Sequence, residues 1–150
     1  MAIDIQGRAI RGLPRRVLRE RLGHVLQDEG CSPSFSLSVR LTGDAEISSL
    51  HSQWMGVDGP TDVISFPQDD PTGPDEPDPC LGDVVVSVDT ARRQAADRGH
   101  DLSCEVMLLA VHGTLHLLGY DDLTESAARR MRAAERRFVP EAFAGEKRPA

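Results

Sequence analysis

The chain has 150 residues, of which 39% are hydrophobic and 27% are charged, and its formal net charge is −7. This composition is typical of one globular domain that buries a core, and the negative charge argues against purely electrostatic binding of nucleic acid. The sequence contains no apolar run long enough to cross a membrane and no signal-peptide pattern. We therefore expect a cytoplasmic protein with no membrane contact.

Strand and helix patterns follow each other along the first third of the chain. Hydrophobic residues alternate with polar ones over residues 2–7 and 35–41, which predicts two strands. Pro14 suits the first turn of a helix that should run to about residue 29, because an apolar stripe follows it. Asp44 is suited to be the N-cap of a second helix that ends near Trp54.

Two more strands are predicted in the middle of the chain. Residues 62–66 and 81–88 are rich in β-branched residues, and the second run is apolar enough to lie in the interior of a sheet. Residues 67–80, between them, are rich in proline and acidic residues. Such a segment cannot bury much apolar area, so we predict a mobile surface loop and interpret it as a plain insertion.

Helices dominate the last third of the chain. Three are predicted, each preceded by residues that cap helix N-termini: Asp89 or Thr90, Asp101 or Ser103, and Thr124. Residues 145–150 should form a flexible tail. We predict a single α+β domain over residues 1–144, with a small mixed sheet and several helices.

The most informative segment is VHGTLHLLGYDD, at residues 111–122. His112 and His116 stand four residues apart in a run with helical character, so both imidazoles should project from one helix face. Gly119 can take a positive φ and end the helix, after which the chain can bring an aspartate back toward the imidazoles. Two nitrogens and one oxygen with a position left open form the ligand set of a catalytic zinc site. The alternative is a buried helix whose histidines bond to backbone carbonyls, and it leaves the turn unexplained.

The spacing of the two histidines is that of the H-E-x-x-H metalloproteases, but the glutamate of that motif is absent. Gly113 stands where those enzymes have the glutamate that acts as general base. A peptidase mechanism that uses this glutamate is therefore unavailable. Cleavage of RNA depends less on such a glutamate, because the 2′-hydroxyl of RNA can itself attack the neighbouring phosphate. A metal would then act as Lewis acid or supply hydroxide.

Three ordered segments of the chain resemble the YbeY family of bacterial rRNA maturation factors. Residues 112–121 resemble the H-G-x-L-H-L-x-G-Y-D-H signature of that family. PTDVISFP at 60–67 resembles its T-D-V-L-S-F-P segment, and LGDVVVS at 81–87 resembles its L-G-D-I-x-I-S strand. The order and spacing of the segments agree over roughly residues 35–140.

The resemblance implies a compact zincin-like fold and a zinc-dependent, single-strand-specific endoribonuclease. The enzyme would act in 16S rRNA 3′-end maturation and ribosome quality control, with rRNA and ribosomal particles as partners. It would hold one Zn²⁺ per chain, and the implied metal ligands are His112, His116 and Asp122. Register with the family favours Asp122 as the third ligand, while ligation by Asp121 stays open, as do the general base and the oligomeric state.

Two residues depart from the family pattern. Asp122 replaces a third histidine, and although zinc accepts carboxylate oxygen, the added charge should make a bound water less acidic. Met55 replaces an arginine, and methionine cannot hold a phosphate. Whether these changes reduce cleavage stays open. One alternative is a non-catalytic, metal-binding ribosome-assembly factor. The other is a zincin-like hydrolase of another substrate, such as a peptide, and Gly113 argues against this second alternative.

Basic residues are concentrated toward the two ends of the chain, since none lies between Arg40 and Arg92. Two arginine-rich segments stand out: Arg8, Arg11, Arg15, Arg16, Arg19 and Arg21 in the first, and Arg129, Arg130, Arg132, Arg136 and Arg137 in the second. If they converge, they make a phosphate-binding face. Otherwise they are the solvated faces of two helices.

Overall fold

A four-stranded mixed sheet organises residues 2–145, the part of the chain that the computed structural model describes. The strands, which lie in the order β1-β2-β4-β3, are β1 (Ala2–Gly7), β2 (Ser36–Thr42), β3 (Val63–Pro67) and β4 (Cys80–Ser87). β1, β2 and β4 are parallel, while β3 pairs antiparallel with β4 and forms one edge. The predicted α+β class is confirmed, and the run at 81–88 does form an interior strand. The predicted tail, apart from Gly145, lies outside the described residues.

Within residues 2–145, five α-helices pack around this sheet, and one of them is central. They are α1 (Arg15–Asp28), α2 (Asp44–Met55), α3 (Val88–Arg98), α4 (Leu102–Leu117) and α5 (Glu125–Phe138), followed by a 3-10 turn at Pro140–Phe143. In α4, 11 of 16 residues are buried, and the helix contacts α1, α3, α5, β3 and β4. A helix that is apolar on nearly all sides belongs in the interior. Within residues 2–145, no helix is both long and apolar enough to cross a membrane.

The junction between β4 and α3 differs from the sequence-based expectation. Asp44 is the first residue of α2, and Gly43 occupies the N-cap position. The Asp44 carboxylate instead accepts hydrogen bonds from the hydroxyls of Ser87 and Thr90, both at 2.7 Å. Ser87, rather than Asp89 or Thr90, caps α3, because β4 turns directly into the helix and places this hydroxyl 3.2 Å from the Thr90 N–H. The Asp44 side chain therefore makes a long-range contact with Ser87 and Thr90 in place of the predicted local cap on α2.

The segment between β3 and β4 extends their hairpin. Residues 68–79 contain no helix or strand. Their two ends remain paired, because the Gln68 N–H donates to the Leu81 carbonyl at 3.1 Å and the Asp69 N–H donates to the Cys80 carbonyl at 2.9 Å. The predicted loop is therefore present, and its mobility stays a prediction.

Candidate metal centre

The imidazoles of His112 and His116 meet on one face of α4. Their Nε2 atoms are 3.1 Å apart, and the rings contact each other edge to face. His112 Nδ1 lies 2.5 Å from Glu135 Oε1, and His116 Nδ1 lies 3.0 Å from the backbone oxygen of Tyr120. A carboxylate and a carbonyl can only accept, so we assign the proton of each neutral ring to Nδ1.

The assigned protons decide what the two rings can bind. Each ring then directs an unprotonated Nε2 lone pair toward the other across 3.1 Å. Two such lone pairs repel each other unless a cation lies beside them, and metal-bound histidines characteristically donate their other N–H to a carboxylate or a carbonyl. The donor set of His112 and His116 therefore fits a metal ion such as zinc.

The turn after α4 is held by contacts that the sequence only partly indicated. Gly119 has a φ of 103°, as the predicted end of the helix requires. The Tyr120 hydroxyl donates to Glu29 Oε1 at 2.7 Å, and the ring packs against the core. A tyrosine at this position could stack on a base or pack against the core. The structure favours packing for Tyr120. In this way Tyr120 places its own carbonyl against His116.

The two aspartates of the motif lie in different surroundings. Asp121 Oδ1 accepts the N–H of Leu123 at 3.0 Å and so holds the turn. Asp122 is exposed. Burial and the neighbouring His112 lower the pKa of His116, while the carboxylates of Asp122 and Glu135 act in the opposite direction. Asp122 is therefore within electrostatic reach of His116.

The structure brings two imidazoles together here, but it does not bring together a complete set of metal ligands. Among residues 2–145, no three His, Cys, Asp or Glu side chains stand close enough together to hold a metal ion. Completion of the set would need the exposed Asp122 side chain to turn toward the histidines. Its ligation of a metal stays a prediction.

Gly113 occupies a tightly packed position between α4 and the sheet. A Cβ atom at this residue would lie 2.6 Å from Val84 Cγ1 and 3.0 Å from Ser65 Oγ. The Ser65 hydroxyl also donates to the Gly113 carbonyl at 2.8 Å. The position that carries glutamate in H-E-x-x-H enzymes therefore has no room here for any side chain, because β3 and β4 pack directly against α4.

Two cavities meet beside the histidines and differ in charge. One, of about 640 Å³, is lined by Arg98 and Arg132. The other, of about 390 Å³, is lined by Met55, and among residues 2–145 no lysine or arginine lines it. His112 and Asp62 line both cavities. The larger cavity thus combines two arginines with the carboxylates of Asp62, Glu135 and Glu141, whereas the only charged group of the smaller cavity within residues 2–145, apart from the two histidines, is the carboxylate of Asp62.

Arginines of both segments bond to groups within the protein, and two of these contacts join α1 to α5. In the first segment, five arginines bond within the chain: Arg8 to Asp89, Arg15 and Arg19 to carbonyls of β1, Arg16 to Glu20, and Arg21 to Glu141. In the second, Arg137 pairs with Asp28 and Arg132 lines the larger cavity. Arg98, the other cation of that cavity, lies outside both segments.

Arg98 is held by a buried carboxylate at the start of α4. Glu105 is fully buried and accepts hydrogen bonds from Arg98 Nη1, at 2.7 Å, and from His100. Glu105 lies in the first turn of α4. Of its two partners, Arg98 is the last residue of α3 and His100 lies on the turn that joins α3 to α4. Removal of Arg98 would leave a buried charge poorly compensated.

Glu135 is the site residue that the sequence analysis overlooked. It is buried on α5, on the same helix face as Ala127, Met131, Ala134 and Phe138. An acidic residue on an otherwise apolar helix face has to find a partner in the interior. That irregularity in the pattern is the signal that could have identified it.

Comparisons with known proteins agree with this fold and motif. A family model described as Endoribonuclease YbeY matches residues 7–142. A protein of that name from Mycolicibacterium gilvum is 44% identical over 123 residues, which cover 78% of this chain and 69% of that protein. Its counterpart from Mycolicibacterium vanbaalenii is 46% identical over 73% of this chain and 63% of that protein. The counterpart from Moorella thermoacetica is 45% identical over 79% and 82%.

A solved structure has a similar fold. The solution structure of TM1509 from Thermotoga maritima superposes with a TM-score of 0.67 at 25% sequence identity, and the match covers 95% of this chain and 89% of that one. The sequence matches to the three relatives span between 63% and 82% of their own lengths.

Proposed function

The chain belongs to the endoribonuclease YbeY family, a family of nuclease hydrolases, and on that basis we propose that it is a zinc-dependent, single-strand-specific endoribonuclease. Its proposed substrate is rRNA on ribosomal particles in the cytoplasm, where it would act in 16S rRNA 3′-end maturation and in ribosome quality control. The observation that carries the proposal is the pair of Nε2 atoms, 3.1 Å apart, whose rings both donate their other N–H within the protein.

The proposed ligands of one Zn²⁺ are His112, His116 and Asp122. When bound, the metal would supply Lewis-acid polarisation of a phosphoryl oxygen. Glu135 and the Tyr120 carbonyl hold the two rings in the tautomer that metal binding needs. Burial lowers the pKa of His116, and His112 lowers it further, which keeps its Nε2 unprotonated at neutral pH.

Two arginines are placed to bind the RNA backbone. Arg98 and Arg132 line the cavity that ends at His112. A guanidinium group can bind a phosphate through two parallel hydrogen bonds, which Met55 on the opposite side cannot do. We assign to these arginines the positioning of the phosphates that flank the reacting bond.

One observation favours a second candidate, the non-catalytic assembly factor. Met55, which stands where the family has an arginine, lines the smaller cavity together with both histidines. Loss of a cation at this place is the change expected if binding were kept and cleavage were lost. A peptidase is disfavoured, because a glutamate at position 113 would clash with Val84.

Cleavage of a labelled single-stranded RNA, beside the same sequence in a duplex, tests the proposal. We expect the parent to cut the single strand, and His116→Ala and Asp122→Ala to lose this activity. Asp121→Asn is the matched control, since asparagine keeps the oxygen that accepts the Leu123 N–H. If Asp121→Asn abolishes cleavage and Asp122→Ala does not, the ligand assignment is reversed. A parent that sediments with ribosomal particles but cuts no RNA would identify the non-catalytic factor.

A further inference from the structure

An exposed apolar patch lies at the C-terminal end of α2. Trp54 is 64% exposed, Met55 50% and Val57 47%. Within residues 2–145, only one other large hydrophobic residue, Leu123, is exposed to a similar degree. Single exposed hydrophobic residues are common, but three within four positions mark a surface that binds something.

This patch is continuous with the candidate metal centre. The side of the smaller cavity formed by Met55 faces a space that His112 and His116 also line. Trp54, the residue before Met55, contacts the ring of Phe66 on β3 at an angle of 72° and a centroid distance of 6.2 Å. Phe66 therefore restrains the indole, yet most of the indole surface stays in contact with solvent.

The positions of the arginines around the histidines indicate which part of a polynucleotide each side can bind. The cations Arg98 and Arg132 line the larger cavity, and none lines the smaller one within residues 2–145. The guanidinium groups that can bind phosphates therefore lie on one side of His112, beside the carboxylates of Asp62, Glu135 and Glu141. The other side, which lacks cations and exposes an aromatic ring, suits the apolar faces of bases.

We propose that Trp54 stacks on an unpaired base of the RNA strand whose backbone lies against Arg98 and Arg132. This inference rests on the proposed function, and it adds a physical reason for single-strand specificity. A base in a duplex has neighbours on both faces, whereas an unpaired base can leave the stack and lie on an indole. The bound strand would run from the larger cavity past the two histidines to α2.

Binding can be measured without cleavage, because Trp54 is the only tryptophan in the chain. A single-stranded oligonucleotide with 2′-O-methyl groups lacks the attacking hydroxyl. We expect it to quench the tryptophan fluorescence of the parent in a saturable titration, and the duplex of the same sequence to leave the fluorescence unchanged. By fluorescence polarisation of the labelled oligonucleotide, Trp54→Ala should bind about tenfold more weakly or worse, as expected for the loss of one stacked base.

Two further variants show whether stacking is the cause. Trp54→Phe keeps an aromatic face and should recover most of the affinity, while Gln53→Ala, the exposed neighbour on α2, should bind as the parent does. Binding of the oligonucleotide with no change in fluorescence, and with the same affinity in Trp54→Ala, would overturn the proposal and point to a protein partner for this patch. A third outcome is that the 2′-O-methyl oligonucleotide quenches the fluorescence but the same sequence with 2′-hydroxyl groups is not cleaved. This outcome would support the stacking role of Trp54 and contradict the nuclease assignment.

Discussion

Glu135 on α5 accepts a hydrogen bond from Nδ1 of His112 on α4, across 2.5 Å. The carboxylate is buried and 23 residues away from the histidine in the chain. A carboxylate in this position orients the imidazole and increases the electron density at Nε2, where a metal would bind. The last helix therefore takes part in the site, although it carries none of the motif residues.

Replacement of this carboxylate should weaken metal binding. We expect Glu135→Gln to lower zinc affinity by about 10- to 100-fold, since an amide is a weaker acceptor and does not stabilise the ring in the same way. Glu125→Gln, in the first turn of the same helix, is the matched control. Competition with a chromophoric chelator measures both affinities. Equal zinc affinity in Glu135→Gln and the parent would show that the hydrogen bond is structural only.

The packing at Gly113 should make any side chain costly. Gly113→Ala places a Cβ 2.6 Å from Val84 Cγ1, and we expect it to lower the free energy of unfolding by about 1–3 kcal/mol, as overpacking does. Gly23→Ala in α1 is the matched control, since the nearest atom to its Cβ would be 3.8 Å away. Alanine is the better helix former there, so Gly23→Ala should be neutral or stabilising by up to about 1 kcal/mol. Urea denaturation would decide, and a stabilising Gly113→Ala would contradict the packing.

Acid stability should depend on Asp44. The hydroxyl of Ser87 lowers the pKa of this carboxyl most, with further contributions from Thr90 and Arg93. A carboxyl whose pKa is lower in the folded state stabilises the fold above its unfolded pKa, and this contribution is lost as the pH falls through the folded pKa. Asp44→Asn should therefore unfold more easily at neutral pH and show a smaller loss of stability on acidification. Asp58→Asn, an exposed acidic residue, is the control, and denaturation curves over a pH series provide the measurement. An unchanged pH dependence in Asp44→Asn would contradict the assignment.

Arg132 in the larger cavity should contribute to the salt dependence of RNA binding. Arg132→Gln removes one charge from the cavity beside His112. We expect weaker binding of single-stranded RNA and a salt dependence reduced by about one unit of log–log slope. Arg16→Gln, on the exposed side of α1 where Arg16 pairs with Glu20, should leave the slope unchanged. If both variants behave as the parent does, the RNA backbone does not lie in this cavity.

Local patterns predicted more of the metal centre than of its surroundings. The relation of His112 to His116 follows from helical geometry alone, and the turn at Gly119 follows from the backbone freedom of glycine. Both were predicted and both are present. Hydrophobic alternation located β1 and β2, and runs of β-branched residues located β3 and β4, each to within one residue at either end.

The features that the sequence did not predict depend on contacts between distant segments. Asp44 bonds to Ser87, 43 residues away, in preference to capping its own helix. The insertion of β4 between β2 and β3 is set by packing over the whole sheet. The arginines of the cavity come from α3 and α5, and charge clustering along the chain had pointed partly to other residues. Such pairings have no periodic signature, so a pattern search cannot find them.

The most direct test of the central claim is the zinc content of the purified chain and of Asp122→Ala. It would be measured by elemental mass spectrometry on protein prepared without a metal-affinity tag. We predict about one zinc per chain in the parent, a greatly reduced amount in Asp122→Ala, and a retained zinc in Asp121→Asn. A parent that holds no zinc after zinc has been supplied would contradict the metal centre.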